Sequence, residues 1–474
     1  MNDLSGIPFI TDPDLVRQKS RDFFWFSPIL DRQLHHCTAQ VIACPRSEDD
    51  VIRLAAACVR HKVPITPRGG GTGNYGQSVP LEGGVVLDMT GLDTIEWQRP
   101  GMLRVGPGRT MIDIDAKIRP SGWELRMHPS TRRSATMGGF IAGGSGGIGS
   151  VTWGRLREPG NVAAARIVTM EDVPRVIELR DAEVQAVNHA YGTTGLITAL
   201  EMPLAPAWDW VELVIAFPTL IQAMRFGYAA ALADGIVKKL LSPIAWPIPV
   251  SFRTIRDRCP DDHAILIAMI AEPSLVAFKT LLHRRHASGT ITFEQPASEA
   301  PDQVPLYEFT WNHTTLQMLK RTRGVTWLQT LHPVERLLDS VADMEMLFGD
   351  ELTPHMEFLR INGQVTAIGL PIVRYTTDDR LYAIMAELRA RGISIVDPHV
   401  FTLEDGSGGR QVEAPHLRSK REFDPHGLLN PGKMRSFQAH ALVQAGASPE
   451  VPRAGLNDLT WTTPLPHDKS ADTD

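Results

Sequence analysis

The chain contains 474 residues, of which 43% are hydrophobic and 22% are charged, and its net charge is −6 at pH 7. This length exceeds that at which one hydrophobic core stops growing, so we expect two domains. The negative charge offers no basic surface to a phosphate backbone, which argues against nucleic-acid binding. No apolar run approaches the roughly 20 residues that cross a bilayer, and residues 1–13 lack the basic and apolar regions of a signal peptide. We therefore expect a cytoplasmic protein without a transmembrane segment.

The first part of the chain alternates strand and helix signals. Val41–Ala43 is a short apolar run, and Ser-Glu-Asp-Asp at residues 47–50 forms a capping box at the start of a helix. Residues 63–65, with a central proline, end this helix and resume extended chain. Between residues 83 and 108, β-branched runs alternate with glycine turns, which predicts strands of a mixed or antiparallel sheet. The apolar positions that recur at helical spacing are Val51, Leu54, Ala55 and Cys58.

The pattern changes after the prolines at residues 203–206, where we place a domain boundary. Two sets of strand, helix and strand follow, which predicts a ferredoxin-like α+β domain. The first set has strands at Trp210–Phe217, Ala264–Ala271 and residues 290–294, with helices at residues 219–234 and 274–286. The second has strands at residues 365–374 and 393–396 around a helix at residues 378–391. Residues 439–474, rich in Pro, Ala, Asp and Thr, are expected to form a tail that is disordered or wrapped on a surface.

Two glycine-rich segments stand out in the first domain. The first glycine segment, residues 67–76, reads Pro-Arg-Gly-Gly-Gly-Thr-Gly-Asn-Tyr-Gly, and the second glycine segment, residues 138–149, contains seven glycines. Each contains G-x-G-x-x-G, starting at Gly71 and at Gly144, but we expect neither to be followed by the helix that a Rossmann fold requires. Such glycines can instead gather backbone N–H groups into an anion-binding nest, or let a long flat ligand press against the main chain. The alternative is a pair of flexible or tight surface loops.

Four stretches in a fixed order carry a family resemblance: residues 67–73 (Pro-Arg-Gly-Gly-Gly-Thr-Gly), residues 129–142, residues 191–198 and residues 423–433. They resemble the FAD-binding domain of the vanillyl-alcohol oxidase and p-cresol methylhydroxylase (PCMH) superfamily, especially its glycolate oxidase and D-lactate dehydrogenase branch. In that family the first stretch grips the pyrophosphate and the second contacts the flavin. The third closes over the adenosine half, and the fourth returns the chain to the flavin domain.

The resemblance implies an α+β protein that has a PCMH-type, two-subdomain FAD-binding domain and a ferredoxin-like α+β cap domain. The FAD-binding domain would span residues 1–206, the cap residues 207–400, and a return segment residues 401–438. The residues implied to bind FAD are Pro67, Arg68, Gly69, Gly70, Gly71, Thr72, Gly73, Asn74, Gly76, Gln77, Pro129, Ser130, Thr131, Thr136, Gly138, Gly139, Gly143, Gly144, Gly146, Gly147, Ile148, Gly195, Ile197, Asn430 and Lys433.

The sequence departs from the family pattern in three places. Thr72 stands where relatives that tether FAD covalently often carry histidine, so we expect dissociable, non-covalent FAD. Asp405 replaces the catalytic histidine that the D-lactate branch often carries, which puts 2-hydroxy acid chemistry in doubt. The histidine-rich metal site of that branch has no equivalent, because His355 lacks a partner at the required spacing. Since the four cysteines have no metal-ligand spacing either, we expect no metal.

Oxidation of a C–H bond by a flavin needs a base and often a cation that holds an anionic substrate. Residues 307–313 predict a strand on which His313 shares one face with three aromatic side chains, so His313 is a candidate base. A core strand with one hydrogen-bonded histidine is the alternative.

Four further residues are candidates for catalysis because of their positions. His399 and Glu404 lie where the chain re-enters the flavin domain. Arg360 and Arg374 flank a cap strand, and either could hold a carboxylate through two hydrogen bonds, although a solvated surface arginine is the commoner fate.

These observations predict an FAD-dependent oxidase or dehydrogenase that takes hydride from an alcohol-type carbon of a small organic substrate. A 2-hydroxy acid is one candidate substrate, and a phenolic or aryl alcohol is the alternative. An FAD-retaining binding protein without turnover is an alternative from another class. The electron acceptor is open between oxygen, a quinone and a redox protein, and the tail could wrap a partner subunit in a homodimer.

Overall fold

The computed structural model describes residues 4–144, 146–285, 288–299, 304–404 and 414–438. The elements before residue 207 are β1 (Phe9–Ile10), α1 (Pro13–Lys19), α2 (Pro28–Leu34), β2 (Val41–Ala43), α3 (Glu48–His61), β3 (Ile65–Arg68), β4 (Val85–Asp88), β5 (Ile95–Arg99), β6 (Met102–Val105), α4 (Met111–Ile118), β7 (Trp123–Leu125), α5 (Met137–Gly143), α6 (Ser150–Trp153), β8 (Ala164–Val168), β9 (Val176–Arg180) and β10 (Leu196–Pro206).

The later elements are β11 (Trp210–Phe217), α7 (Leu220–Leu232), β12 (Lys238–Ile244), β13 (Ala264–Ala271), α8 (Leu275–Arg285), β14 (Thr290–Pro296), α9 (Asn312–Arg321), β15 (Val325–Trp327), β16 (Gln329–Leu331), α10 (Leu337–Phe348), β17 (Leu352–Thr353), β18 (Met356–Ile361), β19 (Gln364–Gly369), β20 (Ile372–Arg374), α11 (Asp378–Ala390), β21 (Ser394–Val396) and α12 (Ala414–Phe423).

The first sheet has the order β1-β2-β4-β3, in which β2, β4 and β3 run parallel. The predicted capping box is confirmed, because Ser47 Oγ accepts from the Asp50 N–H at 3.1 Å and Asp50 Oδ2 accepts from the Ser47 N–H at 3.1 Å. The predicted apolar face of α3 is buried against β2, β3 and β4. The first glycine segment begins at the end of β3, so this sheet sets the position of the segment.

The second sheet is antiparallel, with the order β5-β6-β10-β8-β9 and β7 paired with one end of β10. Helices α4 and α5 contribute Ile114 and Ile141 to a core shared with Leu103 and Leu200 of this sheet. The second glycine segment begins in α5, so it lies against this sheet.

The cap contains two ferredoxin-like units. The first runs β11-α7-β12-β13-α8-β14 with the strand order β12-β13-β11-β14, and the second has the strand order β18-β19-β16-β21 with α10 and α11 as its helices. Both sheets are antiparallel. Because the strands of each unit follow the same second-third-first-fourth order, the predicted ferredoxin-like fold is confirmed and occurs twice.

Three sequence predictions of local structure are wrong. The second glycine segment is not a loop throughout, because Thr136 caps α5 by accepting from the Gly139 N–H at 3.3 Å, and α6 follows the segment directly. Residues 365–374 form two strands in different sheets, because Pro371 between them has no N–H to continue the ladder.

Residues 307–313 are also not a strand. Leu306–Phe309 is a 3-10 turn and α9 begins at Asn312. The hydroxyl of Thr310 donates to the Tyr307 carbonyl at 2.8 Å, and that of Thr314 donates to the Phe309 carbonyl at 2.6 Å. These local bonds offer the backbone an alternative to a strand ladder.

Among the helices of the described ranges, none is long and apolar enough to span a membrane.

Candidate active site

A cavity of about 530 Å³ lies between the two glycine segments and the second ferredoxin-like unit of the cap. The cap contributes the start of α9, strand β16 and the β18–β19 hairpin. The predicted FAD residues that line the cavity are Pro67, Arg68, Gly69, Gly70, Gly71, Thr72, Gly73, Asn74, Gln77, Pro129, Ser130, Thr131, Thr136, Gly138, Gly139, Gly143, Gly144, Gly146, Gly147, Gly195 and Ile197.

The first glycine segment has the geometry of an anion-binding nest. Within the described parts of the chain, the backbone N–H groups of residues 70–73 donate no hydrogen bond. A Cβ on Gly69 would overlap the Thr136 hydroxyl, and one on Gly70 would overlap the Ser134 carbonyl oxygen. Gly71 has a φ of +63°, which L-residues rarely adopt. Gly69, Gly70 and Gly71 therefore cannot be replaced without moving the backbone, and the segment offers free N–H donors to an anionic group.

The second glycine segment presents main chain to the same cavity. Gly144 and Gly147 have φ values of +65° and +156°. A Cβ on Gly138 would lie 2.5 Å from Pro107, and one on Gly146 would lie 2.8 Å from the indole ring of Trp311. The absence of side chains here leaves a smooth surface on which a flat ring system can lie.

The C-terminal return segment is held to the end of the first glycine segment by hydrogen bonds. Lys433 Nζ donates to the Gly76 carbonyl at 2.6 Å, and Asn430 Nδ2 donates to the carbonyls of Gln77 at 2.8 Å and Tyr191 at 2.6 Å. Asn430, Lys433 and Gly76 therefore lie outside the cavity lining. Ile148 does too, since it pairs with His128 in an isolated bridge. These four predicted FAD residues support the site instead of lining it.

Three charged groups lie beneath the first glycine segment. Burial raises the pKa of Asp22 to about 6, and Lys433 opposes this shift. Burial lowers the pKa of Lys433 to about 7, and Asp22 opposes that shift. Arg68 donates to the Arg21 carbonyl at 2.6 Å, and its guanidinium occupies the space that a Cβ on Gly71 would need. Arg68 thus provides positive charge under the anion-binding N–H groups.

The cap side of the cavity is largely apolar with a few polar groups. His313 lines it, and its imidazole is hydrogen-bonded to the backbone of Glu308. Burial lowers the pKa of His313 to about 4, so the ring is neutral at neutral pH and can accept a proton. The Tyr75 hydroxyl donates to Gln329 Oε1 at 2.6 Å, and burial raises the pKa of Tyr75. Asn312 adds a second amide to this group.

The structure does not bring His399 or Glu404 into the cavity. His399 is buried, and its Nδ1 is 2.8 Å from the Ser27 hydroxyl oxygen. Glu404 accepts a hydrogen bond from the Ser436 N–H at 2.8 Å. Each of the two residues therefore joins two chain segments by a hydrogen bond and does not line the cavity. Asp405, in the stretch matched to the histidine of the D-lactate branch, lies outside the described residues.

The two arginine candidates are also absent from the cavity lining. Arg360 pairs with Asp234 and donates to the carbonyls of Val151 at 3.3 Å and Gly363 at 3.0 Å. Arg374 is exposed at the end of β20. Of the predicted catalytic residues, His313 alone lines the cavity.

Several lining residues were not predicted from the sequence. Gln329 and Asn312 face the cavity from the cap, and Phe23, Arg155 and Arg157 face it from the FAD-binding domain. Their sequence contexts carry no glycine or family motif, so only the packing of the two domains identifies them. In the residues that the structure describes, no group of three or more His, Cys, Asp or Glu side chains could hold a metal ion.

Comparison with known proteins agrees with this geometry. Residues 39–172 match the family model of the FAD binding domain. The chain is 33% identical over 448 residues to glycolate oxidase subunit GlcD of Bacillus subtilis strain 168, an alignment that covers 85% of this chain and 90% of that protein. It is 28% identical over 196 residues to D-lactate dehydrogenase of Archaeoglobus fulgidus, covering 39% of this chain and 43% of that protein.

A solved structure of alkyldihydroxyacetonephosphate synthase has a TM-score of 0.69 against this chain, covers 90% of it and 82% of that chain, and is 16% identical, which shows a shared fold. The motif-based resemblance is thus confirmed by a family model, a relative aligned along most of the chain, and a solved fold. FAD is the cofactor that the matched domain implies. The chain therefore belongs to the FAD-linked oxidoreductases with a PCMH-type FAD-binding domain, in the branch that includes glycolate oxidase subunits and D-lactate dehydrogenases.

Proposed function

We propose that the protein oxidises the CH–OH carbon of a 2-hydroxy acid and that it binds FAD without a covalent link. The observation that carries this proposal is that free backbone donors at residues 70–73 and the neutral imidazole of His313 line one and the same cavity. Relatives that act on glycolate and D-lactate, as their names state, align with this chain and support the substrate class.

The residues fit FAD in their chemistry. The N–H groups of residues 70–73, with Arg68 below them, would hold the pyrophosphate, and the second glycine segment would lie along the flavin and ribityl portion. Bound FAD supplies the acceptor for the hydride that leaves the substrate carbon.

Residues of the chain itself accept the proton of the substrate and exclude water from the cavity. His313 Nδ1 or Nε2, whichever is not bonded to the Glu308 backbone, accepts the hydroxyl proton of the substrate. Asn312 and Gln329 hold substrate oxygens by hydrogen bonds. Leu316, Leu359 and Leu370 line the cap side and exclude water.

The proposal of non-covalent FAD rests on Thr72. Its hydroxyl oxygen accepts from the Thr131 hydroxyl at 3.4 Å, and Thr72 lines the cavity where tethered relatives carry histidine. A neutral threonine hydroxyl is a poor nucleophile without an adjacent base. Acid precipitation should therefore release all the flavin into the supernatant, whereas flavin that stays with the pellet would contradict this point.

An aryl or phenolic alcohol is the second candidate substrate. The specific observation in its favour is that Trp311, Phe23, Phe26 and Tyr75 line the cavity. Such a surface suits an aromatic ring better than a small charged acid. A transient quinone-methide absorbance during turnover of a phenolic substrate would support this candidate.

The deciding experiment is anaerobic bleaching of the flavin absorbance against a substrate panel. The panel should contain glycolate, both enantiomers of lactate, 2-hydroxyglutarate and benzyl alcohol. We expect a 2-hydroxy acid to bleach the flavin, and to do so far more slowly in a His313→Asn variant that keeps its FAD. Arg374→Gln, at an exposed site outside the cavity, is the matched control and should behave as the wild type.

Bleaching by benzyl alcohol alone would favour the second candidate. Flavin that no donor reduces would contradict both and indicate a binding protein. Reoxidation of the bleached protein with oxygen or with a soluble quinone would then separate an oxidase from a dehydrogenase.

A further inference from the structure

A buried polar cluster lies in the cap between its two sheets, outside the cavity. It consists of Ser242 on β12, Glu357 on β18 and His355 just before β18, all with side chains almost completely buried. Glu357 Oε1 accepts from the Ser242 hydroxyl at 3.0 Å and is 2.8 Å from His355 Nε2. The two strands belong to different ferredoxin-like units, so the cluster ties these units together.

The cluster has one more partner, and that partner belongs to the cavity. The backbone N–H of Trp311 donates to the same Glu357 Oε1 at 2.6 Å. Glu357 Oε2 and His355 Nδ1, by contrast, have no hydrogen-bond partner within the described ranges. Because buried polar atoms without partners are unfavourable, hydrogen-bond satisfaction alone does not explain why this cluster is polar.

Trp311 needs such an anchor because its backbone is strained. Its φ of +52° and ψ of −145° are unusual for any residue with a side chain, and especially for a bulky one. It precedes α9, and no side chain caps that helix start. A strained residue keeps its conformation only when its surroundings hold it.

The position of Trp311 determines two features of the site. Its indole ring packs against Gly146 of the second glycine segment, 2.8 Å from where a Cβ would be. His313 follows two residues later, in the first turn of α9, and lines the cavity. A shift of the Trp311 backbone would therefore move both the ring beside the FAD-binding segment and the imidazole that faces the substrate.

We propose that Glu357 is a positioning residue for the oxidation, and that it acts through the backbone of Trp311 to hold His313 and the Trp311 ring in place. The kinetic part of this inference rests on the proposed function, because it assumes that His313 takes the substrate proton. The positional part does not.

Three variants separate position from charge and from general stability. Glu357→Asp keeps the carboxyl group but withdraws it from Trp311, whereas Glu357→Gln keeps an oxygen acceptor at the original distance. Glu212→Asp is the matched control, because Glu212 is a buried cap glutamate that accepts the backbone N–H of Leu306 at 3.0 Å and, among the hydrogen bonds of the described residues, has none to Trp311 or His313.

The first measurement is amide hydrogen exchange in peptides covering residues 311–316 of the FAD-loaded protein. Glu357→Asp should exchange at least tenfold faster than wild type there, and Glu357→Gln and Glu212→Asp should remain within threefold. The second measurement is the anaerobic flavin reduction rate at saturating substrate, which should fall at least tenfold in Glu357→Asp only.

Equal behaviour of Glu357→Asp and Glu212→Asp in the exchange measurement would overturn the inference. So would a Glu357→Gln variant as impaired as Glu357→Asp, because charge and not position would then matter. If no donor reduces the wild-type flavin, the proposed function fails, and the exchange measurement still decides whether Glu357 holds Trp311.

Discussion

Replacing Gly70 with alanine tests whether the first glycine segment binds the pyrophosphate through its backbone. The new Cβ would overlap the carbonyl oxygen of Ser134, far inside the 3.0 Å that real Cβ atoms keep. The overlapping atom is backbone, so no side-chain rotation can relieve it. The segment must therefore move, and its N–H groups move with it.

The expected cost follows from the hydrogen bonds that this movement breaks. A hydrogen bond to a charged group contributes about 1.5–3 kcal/mol. Loss of one N–H bond to the pyrophosphate should therefore raise the Kd for FAD roughly 10- to 150-fold. Gly235→Ala is the matched control, since a Cβ there has no neighbour within 4 Å, and its Kd should equal that of the wild type.

The assay is a fluorescence titration of apoprotein with FAD, with circular dichroism to verify that each variant is folded. A folded Gly70→Ala protein that binds FAD within threefold of the wild type would contradict this prediction. The residues 70–73 would then not be the main pyrophosphate donors.

Three further predictions concern single residues. His313→Asn should slow anaerobic flavin reduction by roughly 10²- to 10⁴-fold with FAD still bound. Because burial lowers the pKa of His313 to about 4, the wild-type reduction rate should fall on the acid side near pH 4, and not near the ordinary imidazole pKa of about 6.5. Lys433→Met should lower the free energy of unfolding by about 1–3 kcal/mol in urea, because the Gly76 carbonyl loses its buried donor; an unchanged urea midpoint would count against this support role. His332 has a pKa lowered to about 4 by burial, but when unfolded it takes up a proton near pH 6.5. Protonation therefore favours the unfolded chain, and the stability of the wild type relative to His332→Gln should fall by about 1 kcal/mol between pH 7.5 and 5.5; parallel pH dependences of the two proteins would contradict this.

The sequence predicted correctly those helices and strands whose formation depends on neighbouring residues in the chain. The capping box at Ser47 and the helical spacing of the apolar residues place α3 correctly, because both depend only on neighbours in the chain. The strand at Trp210–Phe217 was predicted with its observed bounds for the same reason. Residues 307–313 were mispredicted, because alternating aromatic residues suggest a strand while the hydroxyls of Thr310 and Thr314 donate to nearby backbone carbonyls.

The same distinction between local signals and long-range packing applies to the candidate site. The glycine segments were predicted because a backbone nest demands glycine at particular positions, which the sequence displays directly. The cap side could not be predicted, because whether β16 lies beside the cavity depends on packing between domains. His399 illustrates this: its place in the chain suggested catalysis, yet its ring turns toward Ser27.

A crystal structure of the protein with FAD would show whether the cofactor lies between the two glycine segments. We expect pyrophosphate oxygens within hydrogen-bonding distance of the N–H groups of residues 70–73, and the flavin ring beside the second glycine segment and Trp311. FAD bound anywhere else, or a pyrophosphate that contacts none of these N–H groups, would contradict this expectation.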